Sequence, residues 1–337
     1  MKKKKLNTIV IGLGVGERHL DFLKKSKNTS SVTIFDIETD KAKKISKKYN
    51  VQYVDKVKKI FLDKKTNLVV VASPDHTHYK YIVESFKNKK HVFTEKPICN
   101  NLKELKKITR EWKKNKKNIK FRSNLILRSS PLFLWLKKKI KEGYFGKIYS
   151  IDVEYLYGRL EKFIKGWRGS SGEYSPMNGG GIHMIDLVCW MINEFPNEVT
   201  SYSNNIATKQ FKLKSRDFVT SILNFKSGLI LRATSNLACV YRHQHIFKIY
   251  GTKKTFVYDD LGPRIYHSRE TKENWKKINL KSLPSNKTDI LKNFIKDIKN
   301  KKDISKKSEF DLRIMNLLCY CNISYKTKKK QKIKYII

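Results

Sequence analysis

The sequence predicts an α/β domain with a doubly wound parallel sheet over residues 1–123, followed by an α+β domain over residues 124–337. Three observations carry this division. Short β-branched runs alternate with Lys-rich helical stretches in the first third of the chain. A glycine-rich turn separates the first such run from the first helix. Beyond Gly143 and Gly146 the texture changes to long strand-like runs with few helices.

In the first domain the apolar runs are 8–11, 32–35, 51–54, 68–72 and 91–93. They are separated by helical patterns near 17–27, 40–49, 57–62 and 76–88. Continuous apolar strands alternating with helices indicate a parallel sheet covered on both faces. A helix over 102–115 and a strand over 119–122 complete the domain. A helix over 131–142 then leads into runs at 148–157, 198–207, 217–225, 229–235 and 245–250, which read as an antiparallel or mixed sheet. Gly228 marks a hairpin turn between two of them. A helix over 182–193 interrupts the series, and helices over 289–299 and 309–325 close the chain.

The 337 residues are 39% hydrophobic, enough for two ordinary cores. Lys and Arg number 74 against 30 acidic residues, a formal charge of +44. Such a surplus can serve a polyanion, but only 12 of the basic residues are Arg, the type suited to bidentate phosphate recognition. The lysines are spread over nearly every segment, as at Lys43, Lys44, Lys47 and Lys48, so a solvated basic surface is expected and no specific nucleic-acid partner. Cys99, Cys189, Cys239, Cys319 and Cys321 form no CxxC pair and fit reduced thiols in a cytoplasmic protein. The basic start at Met1–Lys5 runs into an apolar stretch over 6–13 that ends in glycines with no cleavage site, which reads as a buried first strand. No run reaches the roughly 18 apolar residues of a membrane span.

Gly12, Gly14 and Gly16 follow the first strand and open the first helix. In that setting Gly12 makes a tight turn and Gly14, with Val15, lets backbone approach a pyrophosphate at a helix N-terminus. The third glycine stands one place earlier than in G-x-G-x-x-G, with Glu17 after it, which loosens the expected close packing of helix on strand. Asp36, ending the second strand, is placed to accept from the adenosine ribose hydroxyls. Its carboxylate would repel a 2′-phosphate, so NAD is favoured over NADP; Lys41, Lys43 and Lys44 are the nearby counter-argument.

Two further motifs narrow the family. Ser73-Pro74-Asp75-His76-Thr77-His78 follows the fourth strand, and Glu95-Lys96-Pro97 follows the fifth. With the glycine turn, Asn124, the segment Gly179-Gly180-Gly181-Ile182-His183-Met184-Ile185-Asp186 and Tyr250-Gly251-Thr252, the chain resembles the glucose–fructose oxidoreductase, inositol dehydrogenase and rhizopine-catabolism (Gfo/Idh/MocA) family over nearly its whole length. The resemblance implies a Rossmann domain and an open, mostly antiparallel sheet. It also implies a nicotinamide cofactor, sugar-like or cyclitol substrates, and a homodimer or homotetramer packed through the sheet. By position, Lys96 is implied as the active-site lysine and His183 as the acid/base histidine, with Pro97 shaping the turn that presents Lys96. Glu95, Lys96, Ser73, Pro74 and His78 are implied around the cofactor.

These types suit hydride exchange at a secondary alcohol. Histidine titrates near neutrality and can take up and return the hydroxyl proton. An ammonium stabilises a developing alkoxide. One departure stands out: the family often carries Asp four residues before the histidine, where this chain has Gly179. Asp186, three residues after His183, either orients the imidazole, binds substrate or packs the helix.

Asn124 and Arg128 are candidates for the substrate, as are Tyr157, which leaves a strand, and Trp167 and Arg168 in a Gly- and Ser-containing loop; Arg168 is the choice for a substrate carboxylate or phosphate. Their alternatives are structural: a hydrogen-bonding role for Asn124, ordinary loop anchors for Trp167 and Arg168, and a capping or packing role for His78. Asp75 is a candidate cap of the helix that follows it. His243 and His245 share one strand face and read as sheet-surface residues, with no metal site. The leading expectation is an NAD-dependent oxidoreductase of a hydroxylated ring, and the alternative is a non-catalytic NAD-binding sensor or scaffold.

Overall fold

A computed structural model describes residues 5–170, 174–270 and 274–337, without the Ser170 side chain. Residues 1–4 of the basic start, and 171–173 of the loop after Arg168, lie outside the described residues. The chain divides into two compact units, one of residues 1–126, 286–315 and 336–337, the other of residues 127–285 and 316–335.

The first unit runs β1 (Leu6–Ile11), α1 (Gly16–Lys25), β2 (Thr29–Phe35), α2 (Thr39–Tyr49), β3 (Gln52–Tyr53), α3 (Val57–Leu62), β4 (Leu68–Val71), α4 (Asp75–Lys87), β5 (His91–Thr94), α5 (Leu102–Asn115) and β6 (Phe121–Ser123). Its strands are all parallel, in the order β3-β2-β1-β4-β5-β6. All four residues of β4 are buried, as a central parallel strand requires. The order reverses between β1 and β4, so a crevice is expected outside the carboxyl ends of those strands.

The second unit contains α6 (Pro131–Lys141), β7 (Ile148–Leu156), α7 (Leu160–Ile164), α8 (Trp167–Ser170), a π-helical turn Met177–Gly181, α9 (Ile182–Ile192), β8 (Glu198–Asn204), β9 (Phe218–Asn224), β10 (Ile230–Asn236), β11 (Gln244–Gly251), β12 (Thr255–Asp259), β13 (Gly262–Tyr266) and β14 (Trp275–Lys277). With β15 (Gln331–Lys332) they form a sheet ordered β14-β13-β12-β11-β7-β10-β9-β8-β15. Its pairs are antiparallel except for β7 with β10. Gly228, at φ 85°, turns the β9–β10 hairpin. Strands β12 to β14 were not foreseen; they are short, and β14 is wholly exposed, so it lacks an apolar alternation. Helix α9 is apolar on nearly every side and buried accordingly, from Ile182 to Met191.

One domain assignment is corrected. Helix α10 (Asp289–Lys299) belongs with the first unit, as does α11 (Ser305–Thr327) through Met315. Leu291, Phe294, Ile295 and Ile298 of α10 join the core formed by Val10, Leu20, Leu68 and Phe93. On α11, Asp311 accepts from the Arg122 side chain at 2.8 Å and from the Ser123 backbone at 3.0 Å, and Ser308 bonds the Phe121 carbonyl, so this helix secures the edge strand β6. Amphipathic spacing reveals that such helices need a partner but not which core supplies it.

Candidate active site

In the first unit the glycine turn is shaped by what crowds it. Gly12 has φ 88°, and a Cβ there would stand 2.5 Å from the Ser73 Cα. The β1 and β4 turns therefore touch backbone to backbone. Gly14 has nothing within 4 Å of a would-be Cβ, leaving room for a cofactor to approach, and Val15 is 52% exposed beside it. A Cβ on Gly16 would stand 3.0 Å from Val10 Cγ1 and 3.1 Å from the Ala72 Cβ. The early third glycine thus does support close helix–strand packing, contrary to the sequence expectation. No side chain caps the N-terminus of α1, so its first N–H groups are suited to an anion.

Asp36 is fixed by the same turn. Its Oδ2 accepts from the Leu13 N–H at 2.7 Å, and its Oδ1 from the Glu38 N–H at 3.1 Å. Lys41 is 3.4 Å from Oδ2. An open glycine, an uncapped helix start and a rigid carboxylate fit the pyrophosphate and ribose of a dinucleotide.

The motifs after β4 and β5 support each other. Ser73 Oγ bonds Thr77 Oγ1 at 2.6 Å, and Thr77 bonds the carbonyl of Pro74 at 2.7 Å. Helix α4 begins with Pro74 as its boundary residue, so Asp75 lies in the first turn and is not the cap. His78, expected near the nicotinamide, is fully buried. Its Nδ1 is 2.7 Å from the Pro97 carbonyl and its Nε2 2.7 Å from the Ser73 carbonyl, so the ring ties the two motif turns together.

Glu95 Oε1 meets His19 Nε2 at 2.8 Å and accepts from the Asn124 amide at 2.7 Å. Burial pushes this carboxyl up, but the His19 ring, Asn124 and the Lys96 ammonium outweigh it and hold the group below the usual carboxylate value. The anion so maintained lies directly before half-buried Lys96, whose peptide bond to Pro97 is cis. His19, on α1, was not singled out from sequence, because nothing local marks a helix residue that reaches another motif.

In the second unit His183 lies half-buried in the first turn of α9, directly after the π-helical turn. Such π segments are often found at functional sites. Asn322 holds this turn, bonding Asn178 Oδ1 at 3.0 Å and accepting from Ser175 at 2.7 Å, and Ser235 bonds the Pro176 carbonyl at 2.9 Å. The Tyr155 ring lies against Gly180, where a Cβ would be 2.1 Å from Tyr155 Cδ1, and stacks on His183 with centroids 6.1 Å apart. Tyr157 stacks on Tyr155 at 6.0 Å. Trp167 and Arg168, in a short helical turn, come together with the guanidinium 4.5 Å from the Trp167 ring centroid.

One expectation changes here. His245 is not a surface residue: it is buried, and together with half-buried His243 it packs against the Tyr155 ring, at 5.4 Å and 5.2 Å, on the face toward His183. Burial, with the His243 charge, lowers the His245 pKa to about 4. Arg128, a candidate for the substrate, and Asp186, a candidate for the imidazole, the substrate or helix packing, bind one another: Arg128 Nε is 3.0 Å from Asp186 Oδ2, and both side chains are buried. Facing elements supply each ion with its counter-ion, which linear sequence does not reveal. Among the described residues no cluster of His, Cys, Asp and Glu could hold a metal, and no helix is long and apolar enough to cross a membrane.

Comparison with known proteins agrees with the two architectures. Residues 6–122 match the family described as "Oxidoreductase family, NAD-binding Rossmann fold", and residues 133–257 match "GFO/IDH/MocA C-terminal domain". Myo-inositol 2-dehydrogenase of Thermotoga maritima is 25% identical over 255 residues, 75% of either chain. Glucose-6-phosphate 3-dehydrogenase of Bacillus subtilis is 26% identical over 276 residues, 78% of this chain and 76% of that protein. The solved structure of levoglucosan dehydrogenase in complex with NADH and L-sorbose superposes with a TM-score of 0.85 at 16% identity, over 98% of this chain and all of the other, a likeness of fold. With both domain matches in sequence order, the chain belongs to the Gfo/Idh/MocA family of NAD-binding oxidoreductases.

Proposed function

We propose that this protein uses NAD to exchange hydride with a secondary alcohol or ketone of a sugar, sugar nucleotide or cyclitol. The observation that carries the reading is the Lys96 turn, supported by buried Glu95 and by His78 at the carboxyl ends of the strands that flank the glycine turn. The bound nicotinamide would supply the redox chemistry. Lys96 stabilises the alkoxide, and His183 takes the proton in oxidation and returns it in reduction. Tyr157, Trp167 and Arg168 supply stacking and an anion partner for the substrate, with Asn124 a further candidate to contact it. We read the Arg128–Asp186 pair as the support of the helix bearing His183. The substrate class is supported by the names of the relatives, a myo-inositol and a glucose-6-phosphate dehydrogenase.

A non-catalytic NAD-binding sensor is the second reading, favoured by Gly179 alone. Reduced-nicotinamide absorbance separates the two when NAD is mixed with myo-inositol, D-glucose 6-phosphate, levoglucosan and a sugar nucleotide. Turnover that falls at least ~100-fold in Lys96→Met and His183→Gln, with NADH affinity retained, supports the enzyme. Binding of NADH with no redox change across that panel supports the sensor.

We further propose that the protein works in the cytoplasm, where its buried thiols Cys99, Cys189, Cys319 and Cys321 stay reduced. We propose a homodimer or homotetramer formed through the second sheet, whose open face shows Tyr202, Ile222 and Ile230 at 66%, 45% and 49% exposure. Light scattering of Ile222→Glu beside wild type tests the assembly: the variant should be smaller.

A further inference from the structure

We propose that the first unit carries a second ligand site, for a small phosphate monoester, at the amino ends of β4 and β5. The Ser73 and Lys96 turns lie at the opposite, carboxyl ends of these parallel strands. Four strand residues advance about 13 Å, so the site is separate from the crevice expected for the cofactor. It is a cavity of about 440 Å³ whose wall includes Phe61, Leu62, Lys64, Lys89, Lys90 and His91. That volume suits a small molecule, and no acidic residue lines the cavity.

Lys90 points to an anion. It is only 3% exposed, and its ammonium donates to the Asp63 and Thr66 carbonyls at 2.6 Å and 3.1 Å. Buried charges are ordinarily paired with a counter-ion; this one meets neutral oxygens and keeps a third N–H. The Asp63 carboxylate acts on it only through space, its oxygens being engaged by the Lys65 N–H at 2.9 Å and the Thr66 hydroxyl at 2.6 Å. Burial outweighs that charge and holds the ammonium below the usual lysine value. Glu84, the other acid of this corner, pairs with Lys87 at 2.8 Å.

His91 adds a donor. The Lys120 N–H donates to its Nδ1 at 3.0 Å, and burial with the Lys120 charge lowers the ring to about 4. At neutral pH its single proton is therefore on Nε2. Lys64 and Lys89 contribute two exposed ammoniums from the two loops. Donors arriving from separate loops suit the three terminal oxygens of a phosphate dianion. Leu62, 73% exposed, offers apolar surface to the carbon chain of an ester.

The test titrates the full chain with sn-glycerol 3-phosphate in about 0.15 M KCl, with NADH saturating so that the glycine turn is occupied. NMR follows the His91 ring, its signal identified by loss in His91→Gln. The signal should shift saturably with a Kd of about 1 mM or lower, and glycerol should leave it in place. Lys64→Gln combined with Lys89→Gln should weaken binding at least ~10-fold, with NADH affinity unchanged. Lys90→Met should bind no ester, and urea unfolding of that variant distinguishes lost binding from a lost fold. Inorganic phosphate should bind at least ~3-fold more weakly than the ester, and Leu62→Ser should remove that difference. A shift that never saturates, or that survives undiminished in the double lysine variant, overturns the proposal. So does succinate binding more tightly than the ester. None of these readings depends on turnover, so they stand or fall apart from the dehydrogenase assignment.

Discussion

Arg128 and Asp186 form a buried pair, with Nε 3.0 Å from Oδ2, that ties the turn Ile126–Ser129 to the helix carrying His183. Breaking such a pair from one side strands a charge. Arg128→Met should destabilise the second unit by about 3–5 kcal/mol in urea unfolding, and adding Asp186→Leu should recover most of that. Equal stability of the single and double variants would show that the pair does not support the helix.

The glycine turn separates a folding requirement from a binding one. Gly12→Ala meets both a φ of 88° and the Ser73 backbone, so it should lower the melting temperature and abolish NADH binding. Gly14→Ala meets no atom within 4 Å and should melt like wild type while binding NADH at least ~10-fold more weakly. Calorimetry on both variants makes the comparison.

Removing the His78 ring takes away the group that lies between the Pro97 and Ser73 carbonyls and donates to one of them in its neutral form. His78→Ala should cost on the order of 2–4 kcal/mol. Because the ring joins two turns, hydrogen exchange should rise together at 73–77 and 96–98. Protection lost at one turn only would contradict the coupling.

Stability should fall with acid over a defined window. Burial, aided by the Lys120 charge, lowers His91 to about 4, and burial with the His243 charge does the same for His245. The unfolded chain takes up these protons below about pH 6.5, and the native chain not until about pH 4, so stability is full above the window and lost through it. Each site contributes about 3 kcal/mol at most. Unfolding in urea from about pH 7 down to pH 5 should show the decline, and His245→Leu should flatten part of it.

The parallel sheet and its glycine turn were legible in the sequence because their determinants are local: β-branched runs, a positive-φ glycine and a carboxylate ending the next strand. Asp36 is such a case; its carboxylate bonds the very turn that the spacing pointed to. The unforeseen parts depend on distant partners. His245 alternates like any strand residue, and only the packing of Tyr155 shows that its face is buried. Helix α10 displays an apolar stripe whose partner, the core around Phe93, lies some two hundred residues earlier.

The proposed chemistry assigns Lys96 and His183 to one step, and a double-mutant cycle on single-turnover formation of reduced nicotinamide from myo-inositol tests that most directly. Groups acting as a unit are strongly non-additive. Lys96→Met and His183→Gln should each slow the step at least ~100-fold, and the double variant should be little slower than either. Losses that multiply, or a single variant with a near-wild-type rate, would contradict the account.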